Sequence, residues 1–311
     1  MTAALEFDPR ALARRIAPGL GPVVVTGAGG FIGKRLVRML VEAGAEVTGW
    51  TRADLDLTDP AAVAFGLSSA RPRTVFHLAA TGLVGRPEPA VALAENVAMC
   101  RNLAGAMEPG SVLVYAGSVS EYGRGGVLEE SGECLPRTAY GQAKLAAGLG
   151  GAAAAKQRQV RFVHARLFGI YGPGEPDYRL FPAVLDALSV GKVVELSDCL
   201  QQRDFVHVDD ACAAMIVLAS ADPPTTPINI GTGTAVAVRE TVEWVADSLG
   251  AERDLLQFGA RARSIHDEDL IMADDSRLVA AIGRKLPQRL GPGFDLALLQ
   301  PIPVSGESPC R

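Results

Sequence analysis

A tyrosine and a lysine four residues apart are the side chains in this sequence best suited to move a proton. Tyr140 and Lys144 stand in the run TAYGQAK, which has the character of a helix start, and their spacing places both side chains on one helical face. A free tyrosine has a pKa of about 10 and exchanges protons poorly at neutral pH. A nearby ammonium favours the phenolate, so the two residues together can act as a general acid and base.

Other reactive side chains are gathered in the run GSVSEYG, residues 117–123, which follows an apolar, strand-like segment. The run contains the hydroxyls of Ser118 and Ser120, the carboxylate of Glu121 and the phenol of Tyr122. Successive side chains of an extended segment point to opposite faces, so we expect Glu121 to point away from Ser120. The hydroxyls are therefore better candidates for a reaction centre than the carboxylate.

A glycine-rich loop, TGAGGFIG at residues 26–33, lies between an apolar strand and a helix. In this context Gly27 permits a tight turn, Gly30 lets a pyrophosphate approach backbone N–H groups, and Gly33 allows the helix and strand to pack closely. The loop therefore predicts a dinucleotide site, which also includes Phe31 and Ile32. The alternative is a glycine-rich turn that binds no ligand.

The residues after the second strand indicate which dinucleotide is bound. NAD-binding proteins commonly carry an acidic residue at this place, whereas this sequence has Thr51 and then Arg52. The planar guanidinium of Arg52 is suited to a 2′-phosphate, which it can hold by paired hydrogen bonds. We therefore favour NADP over NAD. In the alternative, Arg52 is a solvated loop residue and Asp54 binds the ribose.

Two further segments are expected beside the cofactor. Asp56 and Leu57 end a short loop, where they could meet the adenine. The run HLAA closes the next strand, and its small residues would let the cofactor lie against the backbone. The candidates in this run are Leu78, Ala79 and Ala80.

Strand-like and helical segments alternate between residues 22 and 170. The strand candidates are residues 23–26, 46–50, 73–77, 111–115 and 160–167, and the helical candidates are residues 31–43, 60–68, 90–107 and 139–156. This alternation is typical of the α/β class and predicts a doubly wound parallel sheet, the Rossmann fold.

The alternation loosens after the GPG of residues 172–174. The helical segments 180–189, 208–219 and 238–249 and the short strands 192–196 and 228–231 follow one another irregularly. We expect residues 171–300 to form mainly a smaller, discontinuous α/β substrate lobe, with some segments returning to the dinucleotide-binding domain of residues 21–170. Residues 1–20 should form a helical extension, with an amphipathic helix over 8–16, and residues 301–311 a disordered tail.

Composition and charge exclude several classes of function. The 311 residues are 48% apolar and 21% charged, as in globular proteins with a sizeable core. A net charge of −5 offers no basic surface for nucleic acid or anionic lipid. The first residues lack the apolar core of a secretory signal, and no apolar run is long enough to span a bilayer. Five scattered cysteines without a CxxC pair predict neither disulfides nor a metal site, and favour the reducing cytoplasm.

The ordered motifs make this sequence similar to the extended short-chain dehydrogenase/reductases that act on nucleotide sugars. This group includes UDP-galactose 4-epimerase and the 4-keto-6-deoxyhexose reductases. The resemblance covers nearly the whole chain and is carried by TGAGGFIG, DLTD, HLAA, GSVSEYG, YGQAK, RLFGIYGPGE, RDFVHVDD, NIGTGTAVAVRE and MADDSRLVAAIG. It implies a Rossmann fold, a nicotinamide cofactor and a redox step on a nucleotide-linked sugar.

The resemblance implies a role for each matching residue of the reaction centre. Ser118 corresponds to the serine that hydrogen-bonds the sugar oxygen undergoing redox, and Tyr140 corresponds to the proton donor or acceptor. Lys144 corresponds to the residue that tunes this tyrosine and holds the nicotinamide ribose. Asn96 matches a helix position that helps to organise the lysine, often through water.

The resemblance also implies how the substrate is held. Arg203, in RDFVHVDD, matches an arginine that clamps the nucleotide diphosphate, and Arg263 is the nearest candidate for a second clamp, although it is shifted in register. The family commonly reads R-x-x-N-x-Y-G-P, with the asparagine contacting substrate, and this chain has Gly169 there. Either the sugar is bound differently, or the substrate is not a standard nucleotide sugar.

Ser120 distinguishes between subfamilies. Sugar 4,6-dehydratases carry an Asp-Glu pair at the positions of Val119 and Ser120, and UDP-glucuronate decarboxylases carry a glutamate at the second position. Enzymes of the GDP-fucose synthase kind, which epimerise before they reduce, carry a cysteine at the position of Ser120. A serine has neither the carboxylate nor the easily ionised thiol, so we expect simple carbonyl and alcohol redox.

These residues together predict an NADPH-dependent ketoreductase that reduces the 4-keto group of a nucleotide-linked 4-keto-6-deoxyhexose. If the same residues first oxidised the 4-hydroxyl and then reduced the resulting ketone, the protein would be an NAD-dependent 4-epimerase. A non-catalytic nucleotide-sensing module is a more distant alternative, against which the intact Ser118, Tyr140 and Lys144 count. By analogy with the family, the helices at 90–107 and 139–156 predict a homodimer.

Overall fold

The computed structural model describes residues 7–82, 88–221, 227–265 and 267–300, and the statements that follow concern these residues. The tail 301–311 expected to be disordered, the first six residues and Cys310 lie outside the described part. The helices are α1 (Pro9–Ile16), α2 (Phe31–Glu42), α3 (Pro60–Ala70), α4 (Pro89–Ala106), α5 (Ala139–Gln157), α6 (Leu180–Ser189), α7 (Val208–Ser220), α8 (Val238–Leu249) and α9 (Ser276–Ile282).

The strands form one large sheet, one small sheet and an isolated pair. They are β1 (Val23–Thr26), β2 (Val47–Trp50), β3 (Thr74–His77), β4 (Val112–Ser118), β5 (Gly126–Leu128), β6 (Arg161–Leu167), β7 (Gly169–Tyr171), β8 (Val194–Glu195), β9 (Gln202–His207), β10 (Ile228–Ile230), β11 (Ala235–Ala237), β12 (Leu256–Gln257) and β13 (Leu270–Ala273). The large sheet has the order β10-β6-β4-β3-β1-β2, and every pair in it is parallel.

The predicted doubly wound parallel sheet is therefore confirmed. Strands β1 and β3 are buried along their whole length, which explains their continuous runs of apolar and small residues. The chain passes from β1 to β2 on one side and then returns to place β3 on the other side of β1. The strand order reverses at this point, which opens a crevice at the carboxyl ends of β1 and β3.

Two elements from the second half of the chain lie on the large sheet. Strand β10 pairs with β6, and α7, whose residues 208–219 are all buried, packs in the main apolar core together with α1 and α2. After its first turn, where Asp209 and Asp210 pair with Arg35 and Arg289, α7 is apolar on all sides, as is typical of a buried helix. The boundaries at residues 20/21 and 170/171 stay predictions.

The small sheet covers the carboxyl edge and has the order β11-β9-β13-β5, with β7 paired to β9. A second apolar core lies below it, between α6 and α8. The sequence did not predict β5, β7, β11 or β13, because each of these strands has only three or four residues. Short strands of this kind depend on partners distant in sequence, since few local contacts support them.

Candidate active site

The glycine loop between β1 and α2 is closely fitted to the end of β3. Gly27 has a φ of 68°, and a Cβ at this position would lie 2.7 Å from the backbone nitrogen of Ala79. A Cβ on Gly33 would overlap the Gly27 carbonyl oxygen. Gly30 is the N-cap of α2 and provides no side-chain cap, so the first N–H groups of the helix are available to an anion.

A cavity of about 270 Å³ lies in the crevice beside this loop. It brings together nine of the residues singled out from the sequence: Gly27, Gly30, Thr51, Arg52, Asp56, Leu57, Leu78, Ala79 and Ala80. Phe31 and Ile32 instead pack against the main apolar core, and Gly33 is buried under the loop. The position of the cavity at the reversal point of the sheet is the one expected for a dinucleotide.

Six further residues line this cavity and were missed by the sequence reasoning: Trp50, Leu55, Thr58, Thr81, Glu95 and Met99. Glu95 and Met99 are four residues apart on α4, so the sequence could have predicted that both side chains lie on the same face of this helix. The Oε2 atom of Glu95 is buried and has no hydrogen-bond partner in the described part of the chain.

The turn after β2 leaves Arg52 exposed and engages Asp54. One carboxylate oxygen of Asp54 accepts hydrogen bonds from the Thr51 hydroxyl at 2.6 Å and from the Thr51 N–H at 2.8 Å. These bonds hold the pKa of Asp54 below its usual value. Arg52 has no hydrogen bond or ion pair with any described residue, so its guanidinium is available to a ligand.

Asn96 lies on α4 and is hydrogen-bonded to the segment after β3. Its Nδ2 donates to the Ala92 carbonyl at 2.6 Å and to the Thr81 carbonyl at 3.1 Å, and its Oδ1 accepts from the Thr81 N–H at 3.3 Å. Within the described residues Asn96 makes no hydrogen bond to Lys144. Its buried amide therefore holds the segment after β3, because that segment has no sheet partner for its backbone groups.

The Tyr140–Lys144 pair lies at the start of α5, next to β4. Lys144 is buried, and its Nζ donates to the Ala116 carbonyl at 2.8 Å. The same Nζ lies 5.2 Å from the ring centroid of Tyr115 and 5.9 Å from that of Tyr140. The ammonium is thus held between β4 and the Tyr140 ring.

Tyr140 is half-buried and lines a second, smaller cavity. This cavity measures about 120 Å³ and is formed with residues of α4, α5 and the segment after β3, including Thr81. Thr81 also lines the larger cavity, so the two cavities are neighbours. A ligand in the larger cavity could therefore extend toward the phenol of Tyr140.

Ser118 is the last residue of β4, and the chain turns immediately after it. The expectation of an extended segment is wrong, because residues Val119–Glu121 form a 3-10 helix with Ser118 as its N-cap. The Ser118 hydroxyl oxygen accepts from the Ser120 N–H at 3.1 Å. A Cβ on Gly141 would overlap the Ser120 carbonyl, so this turn contacts the first turn of α5 at the residue after Tyr140.

The 3-10 helix turns Glu121 into the protein interior. Its carboxylate is fully buried and accepts from the Ser118 N–H at 2.9 Å, from His164 Nε2 at 3.0 Å and from Arg166 Nε at 2.9 Å. Burial raises the pKa of Glu121, but the neighbouring His164 and Arg166 outweigh it and hold this pKa below its usual value. The hydroxyl of Tyr122 donates to Asn229 at 2.7 Å, and its ring is buried.

The two arginines expected to clamp a diphosphate are brought together on the small sheet. The guanidinium of Arg203 forms an ion pair with Asp267, and Arg263 Nε lies 3.7 Å from the same carboxylate. Arg263 also donates to Asp269 at 2.9 Å. Burial is the main cause that lowers the pKa of Arg203, and the nearby charge of Arg263 lowers it further. Two guanidiniums in proximity favour an anion between them.

Gly169 begins β7, which pairs with β9. A Cβ at this position would lie 2.8 Å from the Asp204 carbonyl oxygen and 3.0 Å from the Phe205 ring. The backbone of β9 therefore leaves little room for a side chain. An asparagine at this position would require β9 to move away from β7.

Neither a metal cluster nor a membrane-spanning helix is found where the chain is described. No group of three His, Cys, Asp or Glu side chains in residues 7–300, outside the gaps noted above, could hold a metal ion. None of the helices α1–α9 is both long and apolar enough to cross a bilayer.

Comparison with known proteins identifies the family. A family model described as the NAD dependent epimerase/dehydratase family matches residues 23–231. The chain belongs to this family. The match covers the glycine loop, both cavities and the Tyr140–Lys144 pair, so the resemblance seen in the sequence motifs is confirmed.

Other members of the epimerase/dehydratase family resemble the chain over most of its length. The dTDP-6-deoxy-L-talose 4-dehydrogenase (NAD(P)(+)) of Kitasatospora kifunensis is 33% identical over 272 residues, which are 78% of this chain and 85% of the relative. The GDP-6-deoxy-D-talose 4-dehydrogenase of Aggregatibacter actinomycetemcomitans is 28% identical over 272 residues, with coverages of 84% and 91%. The solved structure of MoeE5 in complex with UDP-glucuronic acid and NAD has a TM-score of 0.78 at 31% identity, with coverages of 90% and 97%.

Proposed function

We propose that the protein is an NADPH-dependent ketoreductase that reduces the 4-keto group of a nucleotide-linked 4-keto-6-deoxyhexose. The observation that carries this proposal is that Tyr140 lines a cavity next to the one at the reversal point of the sheet, with the Lys144 ammonium 5.9 Å from the centre of its ring. Relatives named as dehydrogenases acting at position 4 of 6-deoxytaloses support the same kind of reaction. The general class, a nicotinamide-dependent oxidoreductase of sugar nucleotides, follows from the family.

The proposed mechanism divides the work among the three side chains. Bound NADPH supplies the hydride to the carbonyl carbon. Ser118 donates a hydrogen bond to the carbonyl oxygen and fixes its position. Tyr140 gives its hydroxyl proton to the oxygen as negative charge develops there. Lys144 places a positive charge next to the Tyr140 ring, which stabilises the phenolate left by proton transfer.

The preference for NADPH rests on Arg52. Its side chain is exposed at the cavity rim and has no described ion-pair partner, so it can meet a 2′-phosphate at no cost in lost contacts. Asp54, the alternative ribose ligand, already accepts two hydrogen bonds from Thr51. Among solved structures related in fold, one is a complex with NADPH and another a complex with NAD, so the family accommodates both.

The preference for reduction over 4-epimerisation rests on the same residue. A 4-epimerase keeps one tightly bound NAD through both halves of its cycle, whereas a reductase exchanges its cofactor at each turnover. An NADP site with an exposed Arg52 suits exchange.

Arg203 and Arg263 would hold the diphosphate of the substrate in place of Asp267, because two phosphate groups offer more negative charge than one carboxylate.

A homodimer in the cytoplasm is part of the proposal. Helices α4 and α5 pack against each other, and Val91 on α4 and Leu149 on α5 are 47% and 63% exposed. A second copy could cover these apolar side chains. The four described cysteines, Cys100, Cys134, Cys199 and Cys212, are unpaired, as expected for a reducing compartment.

The test is a mixing experiment that follows nicotinamide absorbance. Purified protein is incubated with NADPH and a panel of nucleotide 4-keto-6-deoxy sugars, with the Tyr140→Phe variant as control. The expected result is oxidation of NADPH only when a keto sugar is present and only by the wild type. Copurified NAD, and interconversion of two nucleotide hexoses without net oxidation, would replace the proposal with the epimerase. No turnover of any sugar would favour the non-catalytic module.

A further inference from the structure

Glu121 is a buried carboxylate that the proposed reaction does not use. It lies three residues after Ser118, is 0% exposed, and receives three hydrogen bonds from two segments of the chain. The donors are the backbone N–H of Ser118 at the end of β4, and the side chains of His164 and Arg166 on β6. The carboxylate therefore joins the reactive serine to the neighbouring strand of the sheet.

The same cluster reaches the helix that carries Tyr140 and Lys144. A Cβ on Gly148, one helical turn after Lys144, would overlap the His164 ring, so the ring lies directly against α5. A Cβ on Gly117 would lie 2.5 Å from both Glu121 Oε1 and His164 Nε2. The imidazole and the carboxylate thus fill the space between β4 and α5, and small residues on both sides make room for them.

We propose that Glu121, together with His164 and Arg166, is a positioning residue that fixes the Ser118 hydroxyl relative to Tyr140. This inference rests on the proposed function, because it assigns a purpose to the distance between two residues of that mechanism. Glu121 touches no part of either cavity, so it acts only through the backbone of Ser118 and the packing of α5.

Stability alone does not account for a charged cluster at this place. Buried ion pairs contribute little net stability compared with apolar groups of the same size, because removing the charges from water offsets their attraction. Directional hydrogen bonds, in contrast, restrict a segment to one geometry. A rigid Ser118 is useful to a reductase, because a displacement of about 1 Å at a reacting group can lower the rate by about 100-fold.

The first test removes the carboxylate and compares the loss with a matched control. Glu121→Ala should lower kcat by about 100-fold, with the KM for the keto sugar and the Kd for NADPH each within about threefold of wild type. The control is Asp210→Ala, which removes another fully buried carboxylate, on α7. Its Oδ2 accepts a hydrogen bond from Arg289 Nε at 2.6 Å. All proteins are assayed below their unfolding temperatures. Equal kcat losses in the two variants would overturn the proposal.

The second test separates the hydrogen bond from the charge. In the double variant Glu121→Gln with Arg166→Met, the amide oxygen can still accept from the Ser118 N–H, and the guanidinium of Arg166 is removed together with the carboxylate. We expect kcat to return to within about tenfold of wild type. Activity as low as that of Glu121→Ala would overturn the positioning role, because the acceptor would then be irrelevant.

The third test needs no catalytic activity. Amide hydrogen exchange of the peptide covering residues 117–123, read by mass spectrometry, should be faster in Glu121→Ala than in wild type and unchanged in Asp210→Ala. Unchanged exchange in Glu121→Ala would overturn the inference. If the wild-type protein reduces no sugar yet this exchange pattern is seen, the proposed function fails while the positioning of Ser118 stands.

Discussion

The proposed proton-transfer region (Ser118, Tyr140 and Lys144) and the proposed recognition region (Arg52, Arg203 and Arg263) are built in opposite ways. In the first, the side chains are buried or half-buried, and Lys144 donates a 2.8 Å hydrogen bond to the backbone of β4 at Ala116. In the second, the guanidiniums are exposed or half-buried, and they pair with acidic side chains or with no described partner.

The difference follows from what each region must do. Proton transfer requires fixed distances, which buried hydrogen bonds between strands and helices provide. Recognition of an anionic ligand requires charges that can exchange one partner for another, which partly exposed side chains such as those of Arg52, Arg203 and Arg263 provide. Substitutions in the first region should therefore change kcat, and substitutions in the second should change binding.

The largest effect is expected from Tyr140→Phe, which removes the proposed proton donor. The kcat for keto-sugar reduction should fall by about 1,000-fold, while the Kd for NADPH, measured by fluorescence titration, stays unchanged. The control is Tyr122→Phe, which removes a buried hydroxyl that bonds Asn229. It should cost about 1 kcal/mol of stability and leave kcat within about twofold. Similar kcat losses in both variants would contradict the assignment.

The next effect concerns substrate binding at Arg203. Arg203→Met should raise the KM for the nucleotide sugar by about 10- to 100-fold, because one charge-assisted hydrogen bond to a phosphate is lost. The NADPH Kd should not change, since Arg203 does not line the cofactor cavity. The control is Arg253→Met, which breaks an exposed pair with Asp247. A drop in kcat at constant KM would place Arg203 in the first region instead.

A smaller effect is expected from Arg52, the arginine of the recognition region that lines the larger cavity. Arg52→Gln should weaken NADPH binding by about tenfold and leave NADH binding unchanged, because only NADPH carries the 2′-phosphate. Isothermal titration with both cofactors measures this. Asp54→Asn serves as the comparison: if it weakens NADH binding while Arg52→Gln has no effect, the ribose contact of Asp54 is the correct interpretation.

The smallest effect is expected from Glu175, a buried carboxyl group in the loop before α6. The Glu175 side chain is 3% exposed, and burial raises its pKa from 4.5 to about 7, although Arg179 acts in the opposite direction. Between these pH values the folded state retains a proton that the unfolded state has released, so stability falls as the pH rises. Glu175→Gln should therefore be more stable than wild type at pH 8, by about 1–2 kcal/mol, and show no such gain at pH 4.

Urea unfolding at the two pH values measures the difference. Asp186→Asn is the control, because it also replaces a carboxylate in the lining of the same surface cavity by an amide. A gain of equal size at both pH values would show that Glu175 acts by packing and not by its charge.

Much of the fold could be predicted from local sequence. The helices at 180–189 and 238–249 and the strand at 23–26 were predicted to the residue, because long apolar periodicities and glycine boundaries define them. The four-residue spacing of Tyr140 and Lys144 and the spacing of the glycine loop are local properties as well. These features needed no knowledge of which segments meet.

Other features could not be predicted, because they depend on contacts between distant segments. Asn96 bonds Thr81 and not Lys144, since the backbone after β3 needed partners. The turn at Ser118 forms because Glu121 finds His164 and Arg166 more than forty residues away. The short strand β5 pairs with β13, and β13 pairs with β9, so both short strands depend on partners that are distant in sequence.

The sequence by itself determined the family, the doubly wound sheet and which pair of residues is proposed to transfer the proton, because these depend on residue types at short, fixed spacings. Only the tertiary structure decided where the polar groups of GSVSEYG point. The negative charge of Glu121 is paired inside the protein, and Ser118 is left at the end of the strand. The reason is physical: a buried carboxylate is stable only where hydrogen-bond donors surround it, and most of the donors here come from another strand.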